Sequence, residues 1–86
     1  MKLGIYCIKD TKVAFKSPFY THNDSVAERM FKNAVNDKEH QSELSINPED
    51  HELWYLGTFD DETGIIEDTT PKFIVKGIDL VVKKED

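Results

Sequence analysis

Residues able to do covalent or metal chemistry are few in this chain: one cysteine and three histidines among 86 residues. Cys7 sits inside the apolar run Leu3 to Ile8 and has no partner for an intramolecular disulfide. To act as a nucleophile it needs a base and a group that orients the base. Neither is suggested by the spacing, so Cys7 reads as a small buried hydrophobe in a reducing compartment. His22, His40 and His51 lie in polar surroundings at spacings that match neither a triad nor a zinc site, and they read as surface histidines. Asp60-Asp61-Glu62-Thr63-Gly64 with Glu67 invites comparison with a calcium loop. An EF-hand needs oxygen ligands at alternate positions ahead of its glycine and a glutamate about six residues after it; here that position is Thr70. The segment reads instead as a tight reversal, with Gly64 supplying the positive φ of a type I turn and G1 bulge. No Walker loop, zinc-ligand spacing or evident carboxylate pair is present. The expectation is a protein with no enzymatic activity, no cofactor and no metal.

What remains is electrostatic and aromatic chemistry. Residues 1–38 carry seven Lys/Arg against four Asp/Glu, a balance of +3, whereas residues 39–70 carry ten acidic residues and no Lys or Arg. Residues 71–86 come to +1, for a net charge of −6. A nucleic acid would therefore be met through the N-terminal half, with the acidic segment turned away or facing a basic partner. Binding of single-stranded DNA asks for a basic track beside exposed rings, because stacking is worth about 1–3 kcal/mol per base and tolerates any sequence. Lys9, Lys12 and Lys16 cluster around the first strands, Phe19 and Tyr20 follow, and Arg29 and Lys32 lie on the polar side of a helix. Lys9, Lys12, Lys16, Tyr20, Arg29 and Lys32 are the candidate contacts, with Tyr20 the leading stacking residue. The plainer alternative is that these lysines solubilise hairpin ends and guard sheet edges, while Phe19 and Tyr20 seal the helix against the sheet. A competing class is a protein-interaction module, binding a basic phage or host protein through the acidic surface or pairing with a second copy of itself.

The elements along the chain position these residues. Leu3, Ile5 and Cys7 alternate with Tyr6 and Ile8 in a strand apolar on both faces. Val13-Ala14-Phe15 reads as its hairpin partner, ended at Ser17-Pro18 by the missing amide. Asn23 or Asp24 caps a helix over 24–36, whose stripe is Val26, Ala27, Met30, Phe31, Ala34 and Val35. Asn36 closes it in the left-handed region. A surface loop follows from Asp37 to Asn47, then a helical turn with Pro48 at its first position. Leu53 to Phe59 is the most apolar strand, with Leu53, Tyr55 and Phe59 on one face and Trp54 and Leu56 on the other. Phe73 to Val82 is strand-like, with Gly77 as a bulge or bend. The expected architecture is a single α+β domain over 1–86. A mainly antiparallel sheet of four to five strands carries one principal helix on one face. Its core draws on Leu3, Ile5, Met30, Phe31, Ala34, Val35, Leu53 or Trp54, and Val75. No run is long enough to span a bilayer and no signal peptide is evident. The large apolar residues on both sides of the Leu53 to Phe59 strand point to a homodimer.

Ser17-Pro18-Phe19, Asn23 through Ala27, Arg29-Met30-Phe31, Val35-Asn36-Asp37 and Pro48-Glu49-Asp50 leading to Leu53 through Gly64 carry a family likeness. With them the chain resembles the small nonstructural protein of gokushovirus-type microviruses, phages with single-stranded DNA. The likeness runs from Met1-Lys2-Leu3 to Pro71-Lys72. It implies a protein that binds DNA or controls the switch to single-stranded genome synthesis and packaging, in the host cytoplasm, and brings no residue-level site. The chain departs in one respect from what phosphate binding favours, its acidic balance. The loop from Lys38 to Ile46 carries nothing over from the family.

Overall fold

The computed structural model describes residues 1–82, so the last four positions of the expected 1–86 domain lie outside the described residues. Four antiparallel strands form one sheet in the order β2-β1-β3-β4: β1 is Lys2–Asp10, β2 Phe19–Thr21, β3 His51–Asp60 and β4 Ile66–Lys76. Helix α1 spans Asp24–Val35 and a short helix α2 spans Glu43–Ile46, with 3-10 turns at Pro48–Asp50 and Gly77–Leu80. This is the α+β arrangement of one principal helix on one face of a small sheet.

Capping and periodicity explain α1. Asn23 Oδ1 accepts from the Val26 amide at 3.0 Å, and Asp24 places a carboxylate in the first turn. The far end differs from expectation: Asn36 has φ −102°, not the left-handed conformation. Its side-chain amide closes the helix instead, donating to the carbonyls of Lys32 at 2.8 Å and Leu80 at 2.9 Å and accepting from the Val82 amide. The helix end is thereby tied to the segment after β4.

The core is Tyr6, Ala27, Phe31, Val35 and Leu53, with Ile8, Phe19, Leu44, Tyr55 and Val75 packed around it. Two expected core residues lie elsewhere. Met30 is 47% exposed, because a stripe including both Val26 and Met30 is wider than this narrow sheet can cover. Ile5 is half-buried and faces away from α1, since β1 turns Tyr6 and Ile8 towards the helix. Tyr6 reaches the helix start, donating to Asp24 Oδ1 at 2.6 Å.

The first hairpin is displaced. Val13-Ala14-Phe15 forms only an isolated bridge, Lys9 to Phe15, and regular pairing resumes after Pro18, with Tyr20 opposite Ile5. Proline interrupts the ladder without ending it. The run Phe73 to Val82 likewise stops being a strand at Lys76. The chain enters a 3-10 turn at Gly77, which packs so closely on the turn at Pro48 that a Cβ would lie 2.6 Å from the Pro48 carbonyl oxygen. The 37–47 loop contains α2, which sequence periodicity did not show.

Register decides which side each aromatic occupies. Tyr6 pairs with Tyr55 but Ile5 with Gly57, leaving Leu56 as the extra residue of a bulge. One unpaired residue inverts the alternation beyond it. Phe59 therefore joins Trp54 on the far face and leaves the Leu53 and Tyr55 side on which it was expected. Gly57 has φ +149°, and a Cβ there would overlap the Glu67 carbonyl. His51, expected at the surface, is 2% exposed: it is two residues before Leu53 and shares its inward face.

Candidate nucleic-acid interface

Helices α1 and α2 and both 3-10 turns touch one another on one side of the sheet. Among the described residues, the other side is partly covered by the loop between β1 and β2. That loop buries Cys7, whose Sγ donates to the Lys16 carbonyl at 2.8 Å. Burial pushes the Cys7 thiol above its ordinary range, so it is a poor nucleophile.

The rest of this face presents aromatic rings in two groups. Trp54 stands between Phe15 and Phe73, with centroid distances of 5.7 Å on both sides and interplanar angles of 78° and 76°. Such edge-to-face contacts hold rings without hiding their faces. Phe15 and Phe73 remain 43% and 47% exposed. The indole Nε1 donates to Glu52 Oε1 at 3.1 Å, which orients the ring. Lys9 extends over the group, its Nζ 5.1 Å from the Phe15 centroid and 5.3 Å from that of Trp54. Lys76 is the β4 partner of Glu52. In the second group Tyr20 meets Phe59 at 5.7 Å, flanked by Ile5, Pro18 and Ile66. A planar apolar ligand such as a nucleobase can stack on either group, and the ammonium of Lys9 adds a charge beside the first.

The sequence-predicted residues divide between the two sides. Lys9 and Tyr20 share the open face, at opposite ends. Lys12 is exposed in the loop, its amide held by Asp10 Oδ1 at 3.0 Å. Lys16 is ion-paired with Glu43 of α2 at 2.8 Å, an interaction that raises the lysine pKa and lowers that of the glutamate. Arg29 and Lys32 are exposed on α1, on the other side of the sheet from Trp54. No single face gathers Lys9, Tyr20, Arg29 and Lys32. Phe15, Trp54, Phe73 and Lys76 were not among the expected contacts. Trp54, an alternative to Leu53 for the core in the sequence, has its ring against Phe15 and Phe73, a placement that depends on the bulged registers of β3.

Among the described residues no helix is long and apolar enough to cross a membrane. No curated protein and no solved structure matches the chain. Residues 3–80 match the family model described as Phage ORF5 protein, and a match over so much of its length means that the chain belongs to that phage protein family.

Proposed function

We propose that this phage protein is the nonstructural protein of a gokushovirus-like microvirus, and that it binds single-stranded DNA weakly on the open sheet face. Its work is then in genome replication or packaging, in the host cytoplasm and without enzymatic activity. The observation that carries the reading is the Phe15, Trp54 and Phe73 group with Lys9 above it. Exposed rings on a sheet beside a cation are what sequence-tolerant stacking needs. Glu52 within the group and the acidic residues of β4, Glu67 and Asp68, oppose phosphate approach, so affinity is low and contacts are few.

Trp54 reports on its own site. Titration with single-stranded oligonucleotides at low salt is expected to change its fluorescence, with a smaller response to duplex, whose bases are not free to stack. With about three to four phosphates contacted, log affinity should fall against log salt with a slope near −2 to −3. Unchanged emission together with no retention on single-stranded DNA at low salt would overturn the reading.

A second reading rests on the other group. Ile5, Pro18, Tyr20, Phe59 and Ile66 form an apolar patch with no charged residue in its lining. It suits a second copy of the chain. Sedimentation separates the two: a dimer lost in Tyr20→Ser but not in Phe15→Ala assigns this patch to self-association, and a monomer at high micromolar concentration removes it.

A further inference from the structure

We propose that Asp10, Glu43 and His51 form a binding site for a divalent cation of the zinc class. One carboxylate or imidazole ligand atom from each of the three lies within 4.8 Å of the others. They come from the end of β1, from α2 and from the start of β3. Such proximity of acidic groups alone would mean little. The telling atom is His51 Nε2, which is buried and has no hydrogen-bond partner. The opposite ring nitrogen, Nδ1, is 2.8 Å from the Asn47 carbonyl oxygen, which can only accept. Nδ1 is therefore the donor, and in the neutral ring Nε2 carries a lone pair.

Asp10 Oδ2 lies 3.8 Å from that nitrogen. Two acceptors facing each other in a buried place need something positive between them. A protonated ring would stand within ion-pair range of Asp10 at 3.8 Å but beyond a hydrogen bond, so a proton alone leaves Nε2 without a hydrogen-bond acceptor. Ligand atoms around one zinc are about 3.3 Å apart, given bonds of about 2.0–2.1 Å, so a small side-chain adjustment brings nitrogen and oxygen onto a common ion. The donation from Nδ1 to a backbone carbonyl is the outer contact that commonly orients a metal-ligating imidazole. Nitrogen plus carboxylate donors suit zinc better than calcium or magnesium, which favour all-oxygen sites. Glu43 is largely exposed, leaving room for water at the remaining position, and its present partner is the Lys16 ammonium at 2.8 Å, which a metal ion would have to displace.

Chelator-treated protein titrated with Zn²⁺ alone, against a chromogenic competitor, tests this. One equivalent is expected to bind and to raise the melting temperature. Asp10→Asn/Glu43→Gln is expected to weaken binding at least tenfold and abolish the thermal shift, and both changes leave the side-chain volumes unaltered. His22→Gln/His40→Gln should bind as the parent does. Lys16→Met should bind more tightly, because the competing ammonium is gone. Zinc binding that is equal in the parent and in Asp10→Asn/Glu43→Gln, or that disappears in His22→Gln/His40→Gln, would overturn the assignment, as would no binding by the parent at high micromolar zinc.

Discussion

The two faces of the sheet carry similar residues put to different ends. On the covered face Tyr6, Phe19 and Tyr55 meet Phe31 under α1; on the open face Phe15, Trp54 and Phe73 meet one another and the solvent. The chemistry of the rings does not distinguish the faces; the helix does. Rings under it contribute to stability through removal from water, and rings opposite it keep area available to a ligand. In so small a domain that is a substantial commitment, since each exposed ring forgoes burial that the core could have used.

The sharpest way to break the comparison is at its centre. Phe31 is 2% exposed, and Phe31→Ala should cost about 3–5 kcal/mol, a large part of the stability of an 86-residue chain. Urea denaturation measures it. Phe15→Ala on the other face should lose less than a third as much. Equal losses would mean that the open-face rings are structural.

Gly57→Ala attacks the division itself. The bulge at Leu56 puts Phe59 on the open face, and it depends on a residue at φ +149° packed onto the Glu67 carbonyl. Strain and overpacking together should cost about 2–4 kcal/mol. Amide exchange in β3 and β4 should rise most, next to the bulge.

Tyr6→Phe is expected to cost about 1.5–3 kcal/mol, because it removes a hydrogen bond to the Asp24 carboxylate. The change also has a pH signature. Burial, then the Asp24 contact, pushes the Tyr6 phenol well above its ordinary pKa. A group whose pKa is raised by folding contributes fully below its unfolded pKa and loses its contribution as pH climbs towards the folded one. Parent stability should therefore decline above about pH 10. Tyr6→Phe should lack this part of the decline, which denaturation at about pH 8 and pH 10.5 would reveal.

How much of this was legible depends on whether a feature is local. Helix α1 was readable because its N-cap and most of its apolar stripe lie between Asn23 and Val35, whereas its C-terminal closure, which draws on Leu80 and Val82, was not. The reversal at Gly64 was readable for the same reason, and its φ is +76°. Sidedness in the sheet was not, because one bulged residue inverts every side chain beyond it and leaves no compositional mark. His51 was missed through its neighbours: Asp50 and Glu52 make the stretch look solvated, whereas its spacing of two from Leu53 already placed it on the inner face. The candidate contacts were half legible. Charge segregation pointed to Lys9 and its neighbours, but ring grouping needs strand order, which brings Phe15, Trp54 and Phe73 together from three parts of the chain.

On the open face itself, Phe15→Ala/Phe73→Ala should reduce single-stranded DNA affinity by about 1–3 kcal/mol per lost stack while shifting the urea midpoint little. Equilibrium binding at low salt measures the first. Unchanged affinity would return the rings to a purely solvent-facing role.

The smallest expected effect separates the lysines from one another. Lys9 stands over the open rings, whereas Lys16 is held by Glu43. If DNA lies on the open face, Lys9→Ala should flatten the salt dependence by about 0.7, the contribution of one phosphate on a single strand. Lys16→Ala should change it by less, because a charge already neutralised by a carboxylate has little to offer a phosphate. The ranking reverses if DNA follows the loop and the α2 side of the molecule. Salt slopes for the two single variants, measured on the same oligonucleotide, decide between the faces even where both variants bind almost as tightly as the parent.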